Sequence, residues 1–160
     1  MTLKRGIVII GGGVNGLATA YNLARRGVRN IVVLEKGYIG SGDTGRCGAG
    51  IRQQWGLEEN IVLARESLKI YEKLSGELGF NIFFRQGGYL VLIFDEEERE
   101  LVSKTIPLQN RLGVPTRLLT VAEVAGLVPG IAENGLLGAA FCPTDGMAYP
   151  YAVLWGYAEA

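Results

Sequence analysis

The sequence predicts an α/β fold that opens on a βαβ unit, and three observations within residues 6–35 predict it. A continuous β-branched run, Gly6 to Ile10, meets three consecutive glycines. A helix-forming stretch with one apolar face follows. A second apolar run, Asn30 to Leu34, then closes on Glu35. Apolar runs without polar alternation read as strands covered on both faces of a parallel sheet, so both runs are expected to be buried. From Val14 to Arg26 the face carries Leu17, Ala20, Tyr21 and Ala24, while Arg25 and Arg26 sit where the helix dipole favours cations. Gly27 supplies the stop, and a right-handed crossover joins the strands.

The rest of the chain extends this start. Lys36 to about Trp55 reads as a loop with glycines at 37, 40, 42, 45, 48 and 50; a loop of this length in a compact domain is functional or disordered. Leu57 to Leu78 has helical spacing through Ile61, Leu63, Ala64, Leu68, Ile70, Tyr71 and Leu74. Phe80–Arg85 and Gly88–Phe94, parted by a Gly-containing turn, predict an antiparallel hairpin whose Phe83, Phe84 and Tyr89 belong to the core. Asp95 with Glu98 predicts a capping box for a helix to about Leu112, and Thr120 with Glu123 another for a helix to about Gly126. Thr116–Leu119 and Leu136–Phe141 read as strands. Tyr149–Ala160 reads as a helix with Pro150 at its first position, and it stops on strong helix formers, as a chain cut in mid-helix would. The expected division is residues 1–80, 81–145 and 146–160.

Composition excludes several functions. Sixteen basic residues balance sixteen acidic ones among 160, so there is no broad basic field for nucleic acid. The absence of histidine removes Ser-His-Asp and Cys-His triads and histidine metal ligands, and no metal site is expected. Residues 1–5 lack the features of a secretory leader, and no stretch is long enough to span a bilayer. Cys47 and Cys142 form no C-x-x-C pair, which points to a reducing, cytoplasmic setting. Cys47 is expected to be a buried small residue and Cys142 a core residue at a strand end.

Gly11, Gly13 and Gly16 match G-x-G-x-x-G between a strand and a helix, the context in which this spacing means a dinucleotide. Gly11 permits the tight turn, Gly13 lets the backbone approach a pyrophosphate, and Gly16 allows close packing of helix on strand. The pyrophosphate then meets the unpaired N–H groups of a helix N-terminus. Glu35, 19 residues beyond Gly16, can accept the adenosine ribose hydroxyls and disfavours a 2′-phosphate. The motif does not separate FAD from NAD. The long glycine-rich stretch after Glu35 suits a large cofactor with an extended second half.

These features, with Glu35-Lys36, the stretch Gly40 to Gln54, Gly87-Gly88-Tyr89-Leu90 and Pro143-Thr144-Asp145-Gly146, resemble the D-amino-acid oxidase superfamily of FAD-dependent oxidoreductases. Within it the chain is similar to the β subunits of L-proline dehydrogenase and sarcosine oxidase. The resemblance covers the whole chain but only the N-terminal part of the family's length, so the fold is an incomplete one: a Rossmann-like FAD-binding βαβ unit plus the start of an antiparallel-sheet substrate domain. It implies non-covalent FAD held by Gly11, Gly13, Val14, Asn15, Gly16, Glu35 and Lys36. Thr44, Gly45, Arg46, Ala49, Gly50 and Ile51 would run along the pyrophosphate and the isoalloxazine ring. It further implies oxidation of the CH–NH bond of an amine or amino acid by hydride transfer to flavin, chemistry that needs no histidine.

Arg46 and Arg52 are candidates for steadying reduced flavin or a substrate carboxylate, or are simply phosphate-side or surface arginines. No residue is singled out as catalytic. Sarcosine oxidase β subunits carry a second, histidine-linked flavin near the position of Pro150; without histidine that site is absent, which tilts the analogy towards proline dehydrogenase. The expected partners are a small amine or amino acid and other subunits of a hetero-oligomer. The rival readings are an NAD-dependent dehydrogenase and a non-catalytic subunit that only holds FAD. On its own the chain is expected to bind FAD weakly or not at all and to be inactive.

Overall fold

The computed structural model describes residues 6–160, so the reading of residues 1–5 lies outside it. The chain runs β1 (Ile7–Ile10), α1 (Val14–Arg25), β2 (Ile31–Leu34), α2 (Asp43–Arg46), β3 (Gly50–Ile51), α3 (Glu58–Leu78), β4 (Arg85–Gln86), β5 (Tyr89–Ile93), α4 (Glu96–Arg111), β6 (Arg117–Leu119), α5 (Val121–Leu127), β7 (Gly138–Cys142), β8 (Gly146–Met147) and α6 (Pro150–Glu159). It forms two compact units. The first holds residues 6–49, Lys73–Phe84 and Ala148–Ala160; the second holds Gly50–Glu72 and Arg85–Met147.

In the first unit β1 and β2 pair in parallel, Ile7 against Ile31 through Ile10 against Leu34, with α1 as the crossover. The helix ends as a Schellman motif: the Val28 N–H donates to Leu23 O, the Gly27 N–H to Ala24 O, and Gly27 takes φ +84°. Leu17, Leu74, Ile82, Val153 and Leu154 are buried, and the rings of Tyr21 and Tyr157 stand 5.4 Å apart where α1 meets α6. Pro150 occupies the first turn of α6, whose buried residues are Ala152, Val153, Leu154 and Gly156.

The second unit is built on two small antiparallel sheets, ordered β3-β8-β4 and β5-β7-β6. One cluster packs Leu119, Val124, Leu136 and Ala139 against Leu90, Leu92 and Phe141; another joins Ile61, Val114 and Cys142 with Leu108 and Leu112. The capping box predicted at Thr120 is present in both directions. At Asp95 only half of it forms: the carboxylate accepts the Glu98 N–H at 2.7 Å, but the Glu98 side chain reaches back one residue too far, to the Phe94 N–H at 3.4 Å. α4 also carries Pro107 in its interior, where one helical N–H is lost.

Four expectations are corrected. First, β1 and β2 are not covered on both faces. Successive side chains point to opposite faces; Ile9 faces α1, while Val8 (45% exposed), Ile10 (88%) and Leu34 lie open among the described residues. Second, the long loop contains α2 and β3. Third, there is no hairpin. β4 pairs with β8 and β5 with β7, because the Gly88 N–H is taken by Asp145 O and Phe83 adopts φ +53°, which breaks an extended run before Arg85. Fourth, Phe83 and Tyr89 are exposed rather than core residues, and Leu63 and Ile70 of α3 are exposed as well.

Replacing Thr120 with Ala removes the acceptor for the Glu123 N–H and is expected to cost about 1 kcal/mol, read as a lower urea midpoint at unchanged m-value.

Candidate cofactor site

The turn between β1 and α1 is shaped by two glycines. Gly11 takes φ +108°, and its N–H donates to Leu34 O at 2.8 Å. A Cβ on Gly16 would run into Gly11 O, so only glycine lets the first turn of α1 lie this close to the end of β1. Gly13 is the N-cap and brings no side-chain acceptor. The Val14 N–H donates to Thr44 Oγ1 at 3.2 Å, whereas the Asn15 and Gly16 N–H groups have no acceptor among the described residues. Two unpaired donors at the positive end of a twelve-residue helix suit an anion.

Glu35 directly follows β2 and faces this turn. Oε2 accepts the Gly12 N–H at 2.8 Å; Oε1 accepts the Gly37 N–H at 2.8 Å and the Ser41 hydroxyl at 3.3 Å. The Gly12 bond above all, then the Gly37 bond, holds the carboxyl below the usual glutamate range, against a smaller opposing effect of desolvation.

Thr44, Gly45 and Arg46 form α2, with Arg46 exposed. A Cβ on Gly45 would meet Gly40 O and the Tyr151 hydroxyl, so α2 lies tight against the start of α6. Lys36 is exposed, and Ala49 takes φ +63°. Cys47 is exposed, not buried as expected, with its Sγ against Thr44 O at 3.1 Å; a turn at the end of a four-residue helix leaves nothing to cover it. The first unit therefore brings together Gly11, Gly13, Val14, Asn15, Gly16, Glu35 and Thr44, with Gly45 and Arg46 on the same short helix as Thr44. Gly12, Ser41 and Tyr151 join them, though sequence reasoning did not single them out. Gly12 was hidden inside the motif; Ser41 and Tyr151 had no local signal.

Gly50 and Ile51 lie in the second unit as β3, paired with Met147 and Gly146. With Arg52, Trp55, Leu63 and Tyr71 they line a cavity of about 360 Å³. The Arg52 guanidinium lies 4.5 Å over the Trp55 ring, whose Nε1 donates back to Arg52 O at 3.1 Å. Cys142 is fully buried at the end of β7, as expected, and burial pushes its thiol up.

A parallel βαβ start whose glycine turn presents free N–H groups beside a strand-end carboxylate defines a dinucleotide-binding protein. The family model described as FAD dependent oxidoreductase (DAO) matches residues 6–160, and the chain belongs to that family. It is 35% identical over 159 residues to the sarcosine oxidase subunit beta of Rhodobacter capsulatus, an alignment covering 96% of this chain and 38% of that protein. L-proline dehydrogenase from P. horikoshii superposes with a TM-score of 0.89 at 42% identity, over 99% of this chain and 41% of the other. A mouse protein named pyruvate dehydrogenase phosphatase regulatory subunit is 28% identical over 139 residues, covering 87% of this chain and 16% of that protein. The chain thus spans about 40% of the length of the first two relatives. No helix among the described residues is long and apolar enough to cross a membrane.

Gly16→Ala is expected to destabilise the chain by roughly 3 kcal/mol through overpacking, measured by chemical denaturation. Glu35, whose carboxyl is lowered by folding, stabilises the native state above its unfolded pKa, and this contribution is lost as pH falls through the folded value. The stability difference between the parent chain and Glu35→Gln is therefore expected to be largest above about pH 5 and to shrink below it, measured by urea unfolding across pH.

Proposed function

We propose that the protein is a flavin-dependent dehydrogenase or oxidase acting on the CH–NH bond of an amine or amino acid such as proline or sarcosine. One observation carries the reading: the unpaired Asn15 and Gly16 N–H groups stand at a turn whose next strand ends in the Glu35 carboxylate. The relatives' names support the substrate class.

In this reading Gly11, Gly13, Val14, Asn15 and Gly16 hold the pyrophosphate through backbone N–H groups. Glu35 and Lys36 hold the adenosine ribose. Thr44, which already receives the Val14 N–H, steadies the turn, and Gly45, Arg46 and Ala49 continue along the cofactor. Gly50 and Ile51 hold the ring end, and the cavity they share with Arg52 takes the amine. FAD, when bound, accepts a hydride; the chain's own residues bind, orient and exclude water. The names of the sarcosine oxidase relatives support assembly with other subunits. Two unbridged cysteines support a reducing, cytoplasmic setting.

The protein expressed from its own gene is expected to be yellow, with flavin absorption bands that bleach under anaerobic conditions on adding proline or sarcosine. A colourless protein that takes up no FAD overturns the reading. The likeness to a regulatory subunit favours one second reading, a subunit that holds FAD without using it; bands that no amine bleaches would establish that reading instead.

A further inference from the structure

Asp145 is fully buried, and no lysine or arginine faces it among the hydrogen bonds and ion pairs of the described residues. Its Oδ1 accepts the Gln53 backbone N–H at 3.0 Å and Gln53 Nε2 at 2.8 Å; its Oδ2 accepts Gln54 Nε2 at 3.1 Å. Its carbonyl accepts the Gly88 N–H at 2.9 Å. The next residue, Gly146, pairs with Ile51 on one side and Gln86 on the other, so close that a Cβ there would strike Arg85 O. Gly146 thus pairs with both neighbours of β8, while Asp145, one residue earlier, holds the segments just beyond β3 and β4. Burying a charge with neutral donors only is costly, and apolar residues of similar volume hold a sheet at least as well. What the carboxylate adds is direction, because it dictates where the backbone just beyond Ile51 and Arg52 runs.

We propose that Asp145 is a positioning residue for the cofactor's ring end, acting through Gln53 and Gln54 to set the backbone of Gly50–Gln54. This rests on the proposed role of Gly50 and Ile51. Asn at 145 keeps the shape but turns one of the two acceptors into an NH₂ group, so that either the Gln53 donors or the Gln54 donor meets an NH₂ in place of an oxygen.

In the protein expressed from its own gene, Asp145→Asn is expected to weaken FAD binding by about tenfold and to change the shape of the flavin bands. The Gln53 amide should also lose hydrogen-exchange protection. Val124→Ala, a fully buried position in the other cluster, is the control for plain destabilisation: it should lower the Tm and leave affinity and bands unmoved. If Asp145→Asn lowers the Tm but leaves affinity and spectrum as in the parent, the positioning role is overturned while the flavin reading stands. If the parent protein takes up no FAD, the flavin reading falls and this role with it. Should the Asn variant fail to fold, Gln53→Met removes the side-chain amide that donates to Asp145, Thr144 and Cys142 while keeping the backbone N–H bond to Asp145, and an unchanged affinity and spectrum there overturns the proposal equally.

Discussion

The first unit hangs on one carboxylate. Glu35 receives N–H groups from Gly12, in the turn after β1, and from Gly37, in the loop after β2, so the ends of two parallel strands are held to each other by side-chain bonds as well as by the ladder. The turn is also held by the Gly11 N–H on Leu34 O and the Val14 N–H on Thr44 Oγ1, but only Glu35 joins it to the loop after β2 through a side chain that takes up both backbones. With it, the turn is fixed while two N–H groups at the helix start stay unsatisfied. A site of this kind is preorganised: the cost of ordering the loop is met in folding, and a ligand gains the hydrogen bonds without having to order the chain.

The βαβ start was legible because every signal in it is local. The β-branched runs, the glycine spacing, the Gly27 stop and the acid after β2 all lie within one supersecondary unit, and the capping box at Thr120 and the half box at Asp95 likewise rest on a few neighbouring residues. The longer helices were legible from period, caps and Pro150, whereas the four-residue α2 was not. Pairing was not, because it depends on residues far apart. The hairpin expected around Gly87 failed when Gly88 was claimed by Asp145 and β5 by β7, and nothing near residue 88 announces either partner. Burial failed for the related reason that an apolar run states what a strand can bury, not what is present to cover it.

The same division holds for the site. Its glycines and Glu35 were singled out by spacing, and Thr44 by resemblance, and the fold brings them together. The contacts of Ser41, Tyr151 and the Asp145 network had no signal in the sequence, because each meets its partners only through the fold. Gln53-Gln54 and Asp145-Gly146 had both drawn notice as motifs, but only the structure brings them into one hydrogen-bonded cluster.

The non-sequential order of the small sheets bears on how the chain reaches its native state. β3 must wait for β8, almost at the far end of the chain, and β5 must wait for β7, while α4, β6 and α5 are made in between. Each pairing closes a long loop before it is rewarded, which slows folding relative to the local βαβ start. Until β8 arrives, β3 is an unpaired edge, the kind of segment that leaves a partly folded chain open to association with other chains.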